Sequence, residues 1–141
     1  MQKISDAEMR RRVIVSSTIG NEIEWFDFTV FGLFAGVIGK LFFPANDPTS
    51  SLLLTFATFG IAFAARPLGG LVFGLYADRH GRKKALVVMI TLMAIGTGLL
   101  GVLPTYAAIG VAAPLLLLLA RLIQGFSAGG EFGSASALLI E

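Results

Sequence analysis

Gly74-Leu75-Tyr76-Ala77-Asp78-Arg79-His80-Gly81-Arg82-Lys83-Lys84 sets a short, glycine-punctuated cationic stretch between two long apolar runs. Basic residues concentrated in a short connection between membrane spans are retained on the cytoplasmic side, so this stretch both suggests a bilayer protein and orients it. Composition agrees: 55% of the 141 residues are hydrophobic and 14% charged, and the mean hydropathy is +0.81, more apolar surface than a water-soluble domain can bury. Most of the basic side chains fall in two clusters, Arg10-Arg11-Arg12 and the quoted stretch. Because both clusters flank apolar runs, they read as topology signals and not as a nucleic-acid surface.

Working outward, four stretches are long enough to span: roughly 13–41, 51–76, 85–103 and 112–140, each near or above the ~20 residues a bilayer requires. Residues 1–12 form a basic N-terminus expected in the cytoplasm, and 13–141 a bundle of four transmembrane helices. The outer connections, Phe43-Pro44-Ala45-Asn46-Asp47-Pro48 and Pro104-Thr105-Tyr106 with Gly110, carry turn formers and little charge, consistent with an in-out-in-out-in path. The first run is interrupted by Glu22, Glu24 and Asp27, which argues against a cleavable leader. Gly125, Gly129 and Gly133 on the fourth run, and Gly70 and Gly74 on the second, recur every fourth residue, a spacing that lets helix backbones approach closely.

Ionisable groups at bilayer depth are costly and call for partners or a pathway. Glu24, Asp27, Arg66, Arg121 and Glu131 are such groups. A rise of ~1.5 Å per residue puts Glu24 at about 16 Å, Arg66 at about 15 Å and Glu131 at about 14 Å from the cytoplasmic helix ends, with Asp27 at about 21 Å and Arg121 at about 28 Å. Three groups therefore share one layer, and a higher layer holds an acid within reach of a long arginine. Arg121, Gln124, Ala128 and Glu131 follow i, i+3, i+7, i+10, one stripe of a helix. Glu24 and Asp27 lie ~60° apart on their helix and can face one cavity, whereas Glu22 points elsewhere. A static salt-bridge network and a proton-coupling or substrate cavity both fit these residues; acids and counter-cations at matching depth favour the cavity. Trp25, beside Glu24, could border it.

The same residues carry a resemblance. Gly74, Asp78, Arg79, Gly81, Arg82 and Lys83 match the loop signature of the major facilitator superfamily, and Arg121, Gln124 and Gly125 its helix-four signature. Gly20-Asn21, Glu24-Trp25-Phe26-Asp27-Phe28, Arg66-Pro67-Leu68-Gly69-Gly70 and Gln124-Gly125-Phe126-Ser127-Ala128-Gly129-Gly130-Glu131 resemble its metabolite:proton symporter branch. The resemblance implies a fold of twelve helices in two bundles, of which this chain supplies the first four. It also implies alternating access around a central cavity, an inner-membrane location, and protons together with a small organic acid or zwitterionic osmolyte as partners. By the same resemblance Asp27 and Arg121 couple protonation to substrate movement, while Asp78 and Arg82 latch a gate against the opposite bundle.

That opposite bundle is missing, so the sequence is expected to be a truncated product, inactive without its C-terminal helices. A dimeric four-helix exporter and a non-transporting interaction module are the alternatives. No enzyme, cofactor or metal site is expected: there is no cysteine, and His80 stands alone in the basic stretch with no ligand spacing around it.

Overall fold

The computed structural model describes residue 22 and residues 24–140, with 132–140 described as backbone helix only. The basic stretch 1–12, the start of the 13–41 run and the contacts of Gly133 lie outside the described part. The described residues are helical without strands: α1 (Glu24–Leu33), α2 (Ala35–Phe42), α3 (Pro48–Ala64), α4 (Arg66–His80), α5 (Arg82–Val102), α6 (Tyr106–Ile109) and α7 (Ala112–Ile140). Three spans are long and apolar enough to cross a bilayer: α3 with α4 as one 33-residue helix, α5, and α7 through Glu131. Helices α1 and α2, bent against each other, make a fourth if the pair is counted as one span. The chain is a multi-pass membrane bundle.

Two boundaries differ from the sequence reading. The first run, expected as one span over 13–41, bends by 68° between α1 and α2 at Phe34. Its carbonyl accepts from both Val37 and Ile38 at 2.9 Å, so the ladder tightens there. No proline marks the site. Gly32 and Gly36 bracket it, and a Cβ on either would meet nothing within 4 Å; they weaken the helix locally instead of seating a neighbour. The second difference is the cationic stretch itself, expected as a loop over 74–84. Helix α4 continues through Asp78, Arg79 and His80, and α5 begins at Arg82. Charged residues propagate a helix readily once it leaves hydrocarbon, so the whole reversal falls on Gly81, at φ 90° and ψ 144°, a conformation open chiefly to glycine.

The other breaks follow ordinary chemistry. Pro67 has no N–H to give the preceding turn, and α3 passes into α4 at Ala65, directly before Arg66. Asp47 caps α3 by accepting from the Thr49 and Ser50 backbone N–H groups at 3.3 and 3.0 Å, with Pro48 at the first helical position, where its missing donor costs nothing. Those bonds hold the Asp47 carboxyl below its ordinary range. Ser51 Oγ donates to the Phe43 carbonyl at 2.6 Å and accepts from Ala45 N–H at 3.2 Å, tying the connection to α3.

Helix α7 is the hub, packing mainly on α4, then α5 and α3. Its seam with the long helix is backbone on backbone. A Cβ at Gly125 would overlap the Ala62 backbone, one at Gly129 the Arg66 backbone, and one at Gly69 the Phe126 backbone. The fourth-residue spacing of the glycines on α7 thus serves close packing. On α4 the seam is offset from the expected row: Gly69 makes the tightest approach, Gly70 a looser one with a Cβ 3.2 Å from the Gly129 carbonyl, and Gly74 faces open space. A pattern of small residues gives the spacing of a face but not its rotation against a partner.

Candidate functional site

The seam fixes two arginines against α1. On α7, Arg121 is 3% exposed. Its Nη1 donates to Asp27 Oδ2 and to Gln124 Oε1, both at 2.8 Å, and Gln124 Nε2 donates to Thr97 Oγ1 at 2.8 Å. One polar chain therefore links α1, α7 and α5. The amide orientation of Gln124 follows from it, since only the carbonyl can accept from a guanidinium and only the NH₂ can donate onward. The Arg121 Cζ lies over the Phe31 ring, 3.7 Å from its centroid.

Arg66 forms the second pair. Its Nη2 donates to Glu24 Oε1, and its Cζ lies over the rings of Phe28 and Phe63, 4.4 and 4.6 Å from their centroids. An aromatic face attracts a cation electrostatically, so both arginines are held by an acid and by one or two rings. Phe59 joins the two sets: it meets Phe28 edge-on at 5.2 Å and stacks with Phe31 at 5.9 Å. Glu131, half-buried on α7, is an electrostatic neighbour of Glu24.

Of the residues singled out by sequence, Glu24 with Arg66 and Asp27 with Arg121 are brought into contact, Gln124 joins the second pair, and Glu131 borders the first. Glu22 is exposed. Trp25, 56% exposed, turns away from both pairs. Asp78, Arg79, His80 and Lys83 are exposed at the α4–α5 turn and Arg82 is half-buried, far along α4 from Arg66. Among the described residues no group of three or more His, Cys, Asp or Glu could hold a metal.

Thr97, Phe28, Phe31, Phe59 and Phe63 are the partners sequence reasoning did not find. A threonine in a membrane helix usually satisfies its own helix, as Thr55, Thr58 and Thr91 do here with the carbonyls four residues back. Nothing in the sequence distinguishes Thr97 from them. The three-residue step from Phe28 to Phe31, matching that from Glu24 to Asp27, was the available signal.

This geometry can do one thing readily. Each pair is neutral in a place where lone charges are costly, and protonating the acid would release a guanidinium with a fork suited to a carboxylate.

Comparison with known proteins points the same way. The family model described as sugar (and other) transporter matches residues 13–141. The chain is 46% identical over 138 residues to a proline/betaine transporter of Salmonella typhimurium, covering 98% of this chain and 27% of that one. It is 49% identical over 128 residues to a citrate-proton symporter of Klebsiella pneumoniae, covering 91% and 29%. It is 48% identical over 141 residues to an inner membrane metabolite transport protein of Escherichia coli, covering 99% and 32%. The chain thus spans less than a third of these relatives' length. No solved structure matches it.

Proposed function

The chain belongs to the sugar (and other) transporter family, within the major facilitator superfamily, and on that premise we propose that it forms the N-terminal part of the machinery of a proton-coupled symporter for small carboxylate-bearing metabolites. The observation that carries the reading is the Asp27–Arg121 ion pair between α1 and α7, its guanidinium buried and its carboxylate half-buried. A proton reaching Asp27 neutralises the acid, and Arg121, still held by Gln124, turns its free donors to the substrate. Citrate, proline and betaine, named for the relatives above, differ in net charge but each presents a carboxylate. A bidentate guanidinium suits that shared group.

Alternating access needs a second bundle, so transport by this chain requires helices corresponding to the remainder of those relatives. In this reading Asp78 and Arg82, beside the α4–α5 turn, latch against that bundle on the cytoplasmic side, with the N-terminus on the same side. The fitting location is the bacterial inner membrane, that of the Escherichia coli relative.

The test is Asp27→Asn within a complete transporter that carries this segment. Proton-driven accumulation of the substrate should fall at least about tenfold, the equivalent of ~1.4 kcal/mol, with membrane insertion unchanged. Full accumulation under a proton gradient in that variant would refute the coupling role.

A further inference from the structure

We propose that Thr97 of α5 is a positioning residue for the Arg121 guanidinium: by accepting from the Gln124 amide it locks the Gln124 carbonyl onto Arg121, and so holds the guanidinium in place once Asp27 is protonated.

Arg121 Nη1 carries two hydrogens and both are used, one by Asp27 Oδ2 and one by Gln124 Oε1, each at 2.8 Å. The donors left for a carboxylate are those of Nε and Nη2, and Nε is buried without a hydrogen-bond partner among the described residues. Two parallel donors bind a carboxylate well only when the guanidinium plane is kept. The bonds at Nη1 are what keeps it.

Those two bonds respond differently to a proton. The bond to ionised Asp27 is charge-assisted on both sides and is the stronger of the two. Protonation removes the charge of the carboxylate, and the bond to Gln124 becomes at least its equal. A primary amide can rotate, however, and offer its NH₂ in place of its carbonyl, setting donor against donor at Arg121. The partner on the far side of the amide prevents this: Gln124 Nε2 donates to Thr97 Oγ1 at 2.8 Å.

Helix α5 is shaped around that contact. At Gly96, next to Thr97, a Cβ would lie 2.8 Å from Gln124 Cγ, so the Gln124 side chain passes where only glycine leaves room. About two turns away along α5, Ser127 Oγ donates to the Met89 carbonyl and pins α5 to α7 independently of Thr97. Gln124 is 1% exposed, so its NH₂ has no water to turn to if the acceptor is lost, and an unmet buried donor is costly. Thr97 itself is exposed. Valine, of the same shape without the oxygen, is therefore accommodated there without repacking.

The role rests on the proposed function only for the event that protonates Asp27; the tether itself is tested without transport. Asp27→Asn stands for the protonated acid, and nitrogen NMR of the chain with isotope-labelled arginine in lipid nanodiscs reads the guanidinium. Restricted rotation gives the two Nη nitrogens of Arg121, assigned by their loss in Arg121→Lys, separate signals. They should stay separate in Asp27→Asn and in Thr97→Val alone, merge when the two substitutions are combined, and separate again when Thr97→Ser replaces Thr97→Val. Signals that merge in Asp27→Asn with Thr97 intact, or that stay apart in the double variant, would overturn the proposal.

A complete transporter that carries this segment gives a second readout that does not depend on Asp27→Asn. With labelled citrate, proline and betaine as probes, Thr97→Val should raise KM about fivefold, the scale of one neutral hydrogen bond, with the maximal rate kept within about twofold. Thr97→Ser should restore the native KM. An unchanged KM in Thr97→Val, with or without a fall in maximal rate, would show that Thr97 does not serve the guanidinium. Full proton-driven accumulation in Asp27→Asn, with the NMR signals behaving as expected here, would refute the coupling reading and leave the tether standing.

Discussion

The two arginines of this bundle are paired by the same chemistry in opposite mechanical settings. Arg121 sits in an uninterrupted stretch of α7, 3% exposed, with Asp27, Gln124 and, through Gln124, Thr97 arranged on its fork. Arg66 sits at the junction where Pro67 interrupts α3 and α4, its side chain 19% exposed, with one acid directly bound and two aromatic rings against it. The contrast separates a positioned pair from an exchangeable one. Where a buried cation is hydrogen-bonded by side chains of two helices and that network is tied to a third, its geometry is set and losing a partner is expensive. Where aromatic faces do the holding, the cation keeps its place while its hydrogen bonds remain free to change partner.

The sharpest way to break this comparison is to remove each acid in turn. Asp27→Ala leaves a buried guanidinium with only Gln124, and breaking a buried pair from one side costs about 3–5 kcal/mol. Reversible unfolding in mixed micelles should register that loss. Glu24→Ala should cost less, about 1–3 kcal/mol, because Phe28 and Phe63 still cover Arg66 and its side chain is less buried than that of Arg121. Equal losses, or a larger one for Glu24→Ala, would show that the two settings do not differ.

Much of this pairing was legible because long straight helices turn sequence spacing into depth. At ~1.5 Å per residue, counting alone placed Glu24, Arg66 and Glu131 in one layer, and the Glu24–Arg66 ion pair agrees with that arithmetic. Asp27 and Arg121 were counted about 7 Å apart in height, a gap the long arginine side chain was expected to span, and the two are paired at 2.8 Å. The bend itself left no proline to find. The backbone seam was legible as a glycine spacing but not in phase, so Gly69 was passed over for Gly70, since which side of a helix faces its neighbour is settled by the neighbour. The cationic turn was misjudged in the other direction. Its charges mark where hydrocarbon ends, and a helix need not stop there; only Gly81 does the turning.

The smallest expected effect tests whether the two settings communicate. Phe59 touches Phe28, which covers Arg66, and Phe31, which covers Arg121, so the rings form a continuous packed path between the pairs. Packed aromatic contacts of this kind contribute about 0.5–1.5 kcal/mol beyond their buried area, and residues sharing such a path show non-additive energetics when perturbed together. A double-mutant cycle combining Asp27→Ala with Glu24→Ala should therefore show a coupling of up to about 1 kcal/mol in the native background. In a Phe59→Leu background, which keeps an apolar side chain but removes the ring, that coupling should shrink toward zero while each single loss stays nearly as before. A coupling that persists unchanged without the Phe59 ring would mean that the acids influence each other through α1 itself, three residues apart on one helix, and that the aromatic path is packing alone.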